Sequence, residues 1–179
     1  MEALSGVGYI DDPDEPENIA RAFRDSNVNL IWEGTTNVLS SEVVRNLLKN
    51  DHVEVLSGWV NRAIHSNRNE ELRDMLGTSW SNLHRRLMSG KGNFDLLGDG
   101  RRIMFSLAWV VVGLLLAVDA QRDNDQVATE LVRRWVLNGE SGMGEWLLPD
   151  VGDVSTKAQF HEGKERARWD YSIVWGDNP

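Results

Sequence analysis

The chain has 179 residues, 41% hydrophobic and 26% charged, values that allow one globular unit with a real core and exclude a disordered or low-complexity chain. It has no cysteine, which excludes disulfide frameworks and thiolate metal sites and makes an intracellular location the simpler expectation. The formal net charge is −9, the wrong sign for a surface that neutralises phosphates.

The chain opens with Met1-Glu2-Ala3-Leu4-Ser5-Gly6-Val7-Gly8-Tyr9-Ile10, an acid and small residues where a secretory leader would set a basic segment before an apolar one. Asp11-Asp12-Pro13-Asp14-Glu15-Pro16 follows, and its two prolines and four acids predict a loop. Asn18 to Asp25 reads as the end of a helix. Next comes Ile31-Trp32-Glu33-Gly34-Thr35-Thr36-Asn37. Here a carboxylate stands between a bulky apolar pair and a hydroxyl-rich turn, where desolvation would raise its pKa and make it a better proton acceptor. Gly34 lacks a Cβ and permits close approach of a ligand, while Thr35, Thr36 and Asn37 offer polar side chains. The same pattern also fits a plain helix entry, with Thr35 or Thr36 as N-cap and Glu33 solvated before it.

Val38, Leu39, Val43, Leu47 and Leu48 recur near helical spacing from Thr36 to Lys49. Asp51 and Glu54 form a predicted capping box for a helix burying Val55, Trp59 and Ala63. A further helix is predicted from Glu70 to Met88, with Leu72, Leu76, Trp80, Leu83 and Leu87 on one face. Gly90, Gly92 and Asn93 break the pattern before an apolar helix from about Leu96 to Gln121. Within it, Ile103 to Val118 is sixteen residues without a charge. That is shorter than the roughly 17 to 25 residues of a membrane span. With Ser106, Trp109 and Gly113 inside it, the segment reads as a fully buried central helix, and no span is expected. Asp123 with Gln126 restarts the helical period as far as Leu137, placing Val127, Leu131 and Trp135 on a stripe and Arg133 and Arg134 on the far side. From residue 141 to 179 the period fades into a long irregular tail with short ordered pieces, whose Trp146, Trp169, Tyr171 and Trp175 imply packing on the bundle.

The fold class is therefore all-α, a helical bundle, divided as 1–50, a helical extension 51–140 and the tail 141–179. Eight tryptophans fall about one per helix, as core anchors would, with Trp32 the exception as a pocket wall beside Glu33. His52, His65, His84 and His161 are too scattered for a metal site.

Glu2 through Tyr9, then Arg24-Asp25, then Trp32-Glu33-Gly34-Thr35 stand in an order that resembles the C-terminal part of the acyl-CoA dehydrogenase superfamily. Its members carry Gln-x-x-Gly-Gly-x-Gly-Tyr, Arg-Asp and an aromatic-Glu-Gly-Thr element. Glu2 in place of Gln, Trp32 in place of Tyr and the long extension are most similar to the alkylation-response (AidB-like) branch. The resemblance covers residues 1 to about 49. It implies an FAD-dependent α,β-dehydrogenation of an acyl-CoA thioester in which Glu33 is the base, Trp32 and Gly34 adjoin the substrate, and Thr35, Thr36 and Asn37 contact the dinucleotide part of FAD. Glu2, Ser5 and Gly6 match the turn that reaches the FAD of a neighbouring subunit, which implies a homo-oligomer. Ser5 departs from the usual Gly and adds a Cβ at that approach.

The family's N-terminal helical and middle β domains do not precede Met1, so the chain is expected to be a truncated subunit, inactive alone and holding FAD weakly or not at all. The C-terminal Asp177-Asn178-Pro179 is not a peroxisomal address. Two non-catalytic roles compete, DNA binding and protein interaction. Residues 51–179 carry nineteen acidic and fifteen basic side chains, which makes nucleic acid an unlikely partner unless Arg85-Arg86, Arg101-Arg102 and Arg133-Arg134 converge.

Overall fold

The uncharged run becomes the axis of the fold. The computed structural model describes residues 19–32, 35–89, 95–123, 125–139, 141–152 and 163–175, and among these every regular element is helical. In chain order they are α1 (Ile19–Trp32), α2 (Thr36–Leu47), α3 (His52–Ser66), α4 (Glu70–Ser89), the single turn α5 (Asp95–Gly98), α6 (Gly100–Asp123), α7 (Gln126–Val136), a 3-10 turn (Gly144–Trp146) and α8 (Gly163–Trp175). The all-α bundle expected from the sequence is the fold observed.

Helix α6 packs against α2, α3, α4 and α7. It can do so because Ile103, Trp109, Val110, Leu114 and Ala117 are buried on its inner sides. Gly113 sets the closeness of two of these contacts. A Cβ there would lie 2.9 Å from a Leu76 methyl and 3.1 Å from a Val136 methyl, so the missing side chain lets α4 and α7 approach. The helix is not buried all round, as Leu115 is 54% exposed and Val118 is also open. By length and apolarity α6 would also suit a membrane span, but a bundle's core helix has the same character.

Helix α4 follows its predicted face. Leu72, Leu76, Trp80, Leu83 and Leu87 are all buried, each removing a side chain from water at about 1.5–3 kcal/mol. Asn69 starts this helix, its Oδ1 accepting the Leu72 N–H at 3.1 Å.

Other faces differ from the sequence reading. In α3 the buried set is Val53, Val60 and Ile64, whereas Val55 is 64% exposed and Trp59 lies at the surface. Both sets have helical spacing, so period alone cannot choose between them; the side chains that face α4 and α6 are the ones that sink. In α7 the buried residues are Glu130, Val132 and Val136, and Leu131 is exposed. Arg133 and Arg134 turn onto Glu130, because a buried carboxylate needs cationic donors.

Caps and boundaries shift as well. Asp51 stands at the N-cap of α3 without a side-chain capping bond, so the Asp51–Glu54 box does not form as expected. Asp125, not Asp123, caps α7 by accepting the Val127 N–H at 2.8 Å. Helix α1 continues past Asp25 to Trp32, and the single helix expected from Leu96 divides into α5 and α6 around Asp99.

The segment read as an irregular tail is more ordered than that. Leu147, Leu148 and Val151 join the main core, and α8 is a helix of 13 residues lying on α7. The tryptophans divide: Trp80 and Trp109 are core residues, while Trp146 lies on the surface under the Arg101 guanidinium, 5.0 Å from its ring centre.

Candidate functional site

Of the residues singled out for catalysis or binding, Glu2, Ser5, Gly6, Glu33 and Gly34 lie outside the described residues. The elements on either side of the Glu33 position are described. Trp32 is the last residue of α1 and Thr36 the first of α2. Thr35 occupies the N-cap of α2 with extended backbone angles, φ −70° and ψ 158°. Its carbonyl accepts the N–H groups of Val38 and Leu39 at 2.9 and 3.2 Å.

The polar side chains here are not used by the fold. Thr35 makes no side-chain capping bond, and Thr35 and Asn37 are exposed while Thr36 is half-buried. Asn37 contributes only its carbonyl, which accepts from the hydroxyls of Ser40 and Ser41 at 3.1 and 2.8 Å. Two hydroxyls and a carboxamide thus follow one another at the start of a helix. Such groups can hydrogen-bond a phosphate or an adenine, so they fit a dinucleotide contact by donor chemistry. The neighbouring Val38 and Leu39 are exposed; Ser40 and Val44 are the residues that α2 buries. Arg24 and Asp25 lie in the middle of α1, both exposed.

Most members of the three arginine pairs have partners within the fold. Arg86 Nη2 donates to Asp99 Oδ2 at 2.6 Å, Arg101 covers Trp146, and Arg133 and Arg134 are engaged by Glu130. Among these, Arg134 is the most integrated: it also donates to Asp170 of α8. Burial alone would lower the Arg134 pKa, but the hydrogen bonds to Asp170 and Glu130 outweigh that and hold it above its ordinary value. The same bond from Arg134, aided by its charge and that of Arg166, holds the Asp170 carboxyl below the usual range.

A cleft elsewhere in the fold was not evident from the sequence. Asn82 and Arg86 of α4, Asp99, Arg102 in the first turn of α6, and Leu148 to Val151 line a cleft of about 290 Å³. The doublets Arg85-Arg86 and Arg101-Arg102 each give it one member, and that was the only signal available. Among the described residues no group of three His, Asp or Glu side chains is arranged to hold a metal ion. His52 and His65 instead place Nδ1 against the backbone carbonyls of Asn46 and Asn61 at 2.8 and 2.6 Å.

No family model, no curated protein and no solved structure matches this chain.

Proposed function

We propose that the chain is the C-terminal portion of an FAD-dependent acyl-CoA dehydrogenase, with Glu33 as the base that removes the α-proton of an acyl-CoA thioester. The observation that carries this reading is the order of three elements along one chain: Glu2 to Tyr9, Arg24-Asp25, and Trp32 to Asn37. Two further facts support it. The Glu33 position falls between helices α1 and α2, and the polar side chains of Thr35, Thr36 and Asn37 just beyond it are left unengaged by the fold.

In this reading Glu33 accepts the α-proton, the electrons of that C–H bond form the new C=C bond, and the β-hydrogen departs with its electron pair. FAD, when bound, supplies the acceptor for that hydride. An indole from Trp32 would limit water at the carboxylate and so favour proton uptake, and the missing Cβ of Gly34 would leave room for the thioester. Thr35, Thr36 and Asn37 would hold the dinucleotide portion of the cofactor through hydrogen bonds.

The test joins this chain to the N-terminal and middle domains of an acyl-CoA dehydrogenase of the alkylation-response branch and measures flavin content and enoyl-CoA formation. Glu33→Gln should retain flavin and lose at least about 10³-fold in turnover, as expected when a positioned base is removed. Undiminished turnover would take Glu33 out of the base role. For the chain alone, no tight FAD binding is expected; a stoichiometric yellow complex would show that the flavin site does not need those domains.

A further inference from the structure

The cleft between α4, the start of α6 and residues 148–151 is built rather than incidental. Its outer wall is clamped at three points by groups from two other helices. The buried Ser106 hydroxyl accepts the Leu148 N–H at 2.9 Å, Asn82 Nδ2 donates to the Asp150 carbonyl at 2.8 Å, and the buried Ser79 hydroxyl accepts the Gly152 N–H at 3.1 Å. Gly152 has φ +67°, and a Cβ there would lie 2.8 Å from a Leu147 methyl, so the wall turns where only glycine fits well. A wall held this way needs no ordering when a ligand arrives, which favours binding.

The polar groups inside are unequal in what the fold asks of them. Arg86 and Asp99 are spent on each other. Arg102 and Asp150 line the same cleft, yet neither side chain has an ion pair or hydrogen bond among the described residues. Asn82 uses its amide nitrogen on the wall and leaves Oδ1 as an open acceptor. Leu148, Pro149 and Val151 give the remaining surface an apolar character. With two arginines and two aspartates the lining is neutral in sum, but an open cation and an open carboxylate remain within it. That combination discriminates against a simple anion, which Asp150 and Asp99 repel, and against a simple cation, which the guanidiniums repel.

We propose that this cleft binds a small zwitterion of the α-amino-acid type, its carboxylate on Arg102, its ammonium on Asp150 and Asn82 Oδ1, and a short apolar side chain against Leu148, Pro149 and Val151. A guanidinium is suited to a carboxylate because its forked N–H groups match both oxygens. The volume is at the low end for small-molecule sites, which restricts the occupant to about the size of a single amino acid. None of these residues belongs to the segment around Glu33, so the proposal stands or fails independently of the acyl-CoA reading.

The experiment titrates the full chain with L-leucine, with leucinamide, which lacks the carboxylate, and with 4-methylpentanoate, which lacks the ammonium, using calorimetry or amide chemical shifts. Saturable binding of leucine is expected, with each analogue weaker by about tenfold or more, the worth of one charge-assisted contact. Arg102→Ala should erase the preference for leucine over leucinamide, and Asp150→Asn the preference over 4-methylpentanoate. Both are surface changes, and an unaltered circular dichroism melt checks that each variant folds. Absence of saturable leucine binding to the parent chain would overturn the proposal. So would equal affinity for all three ligands, or leucine binding and preferences that neither variant alters.

Discussion

Helices α1 and α4 both carry regularly spaced apolar residues, yet they end in opposite conditions. Helix α4 lies between α3, α6 and α7 and buries Leu72, Leu76, Trp80, Leu83 and Leu87. Of the α1 side chains described, residues 21–27 are all exposed, Phe23 included, and Ala20 just before them is buried; among the described residues no helix makes an extended contact with α1. Apolar content does not decide burial; neighbours do. The difference also separates two kinds of information. The described middle of α1, which holds the Arg24-Asp25 element, adds no side chain to the core, and the core-forming α4 carries no such element.

The largest expected effect tests that separation directly. Trp109→Ala, at a residue 1% exposed in α6, should cost about 3–5 kcal/mol of unfolding free energy, whereas Phe23→Ala should change it by less than about 0.5 kcal/mol. Urea titration followed by circular dichroism measures both. Similar losses would mean that α1 is docked in solution and that the contrast is false.

Next in size is the charged centre of α7. Glu130 is 4% exposed and pairs with the half-buried Arg133 and Arg134, so Glu130→Ala removes a buried charged acceptor and should cost about 1–3 kcal/mol. Glu130→Gln keeps an acceptor in place and should lose less. A neutral result for the alanine variant would show that the apolar face of α7 and the Trp135–Trp109 hydrogen bond hold it without the carboxylate.

The smallest effect concerns the attachment of α8. Because the Asp170 pKa is lowered in the folded chain, its contribution is fully present above the ordinary value of 3.8 and is lost as pH falls through the lower folded value. Amide exchange or Trp169 fluorescence should therefore report loosening of α8 only at strongly acid pH, before the bundle itself melts. Asp170→Asn should remove that step. An unchanged acid profile in the variant would assign the step to another carboxylate.

What the sequence made legible follows from the same contrast. The α4 face could be read because leucines and a tryptophan repeat at helical spacing with polar residues between them. The α3 and α7 faces were misjudged where two stripes compete, as Val53, Val60 and Ile64 do with Val55 and Trp59, or where a buried Glu130 draws arginines inward. Helix α8 was missed because Lys164, Glu165, Arg166 and Arg168 dilute its apolar residues, and its partner Arg134 lies 36 positions from Asp170. At the candidate site, the Thr35 to Asn37 element was legible as local chemistry. The cleft was not, since it joins residues 82, 99, 102 and 150, and no local pattern reports such a meeting.

The clamp on residues 148–152 bears also on how the molecule is made. Its hydrogen bonds join positions separated by 42, 68 and 73 residues, far beyond the hairpin formed by α3 and α4. Contacts of long sequence separation form slowly, because the intervening chain loses its freedom before they are made. The α3–α4 pair can assemble early, while the closure of Leu147, Leu148 and Val151 over the Trp109 region belongs to the last stage of folding. On the ribosome, Ser79 and Ser106 emerge well ahead of the backbone groups they will accept, and the core stays open on that side until the segment is synthesised.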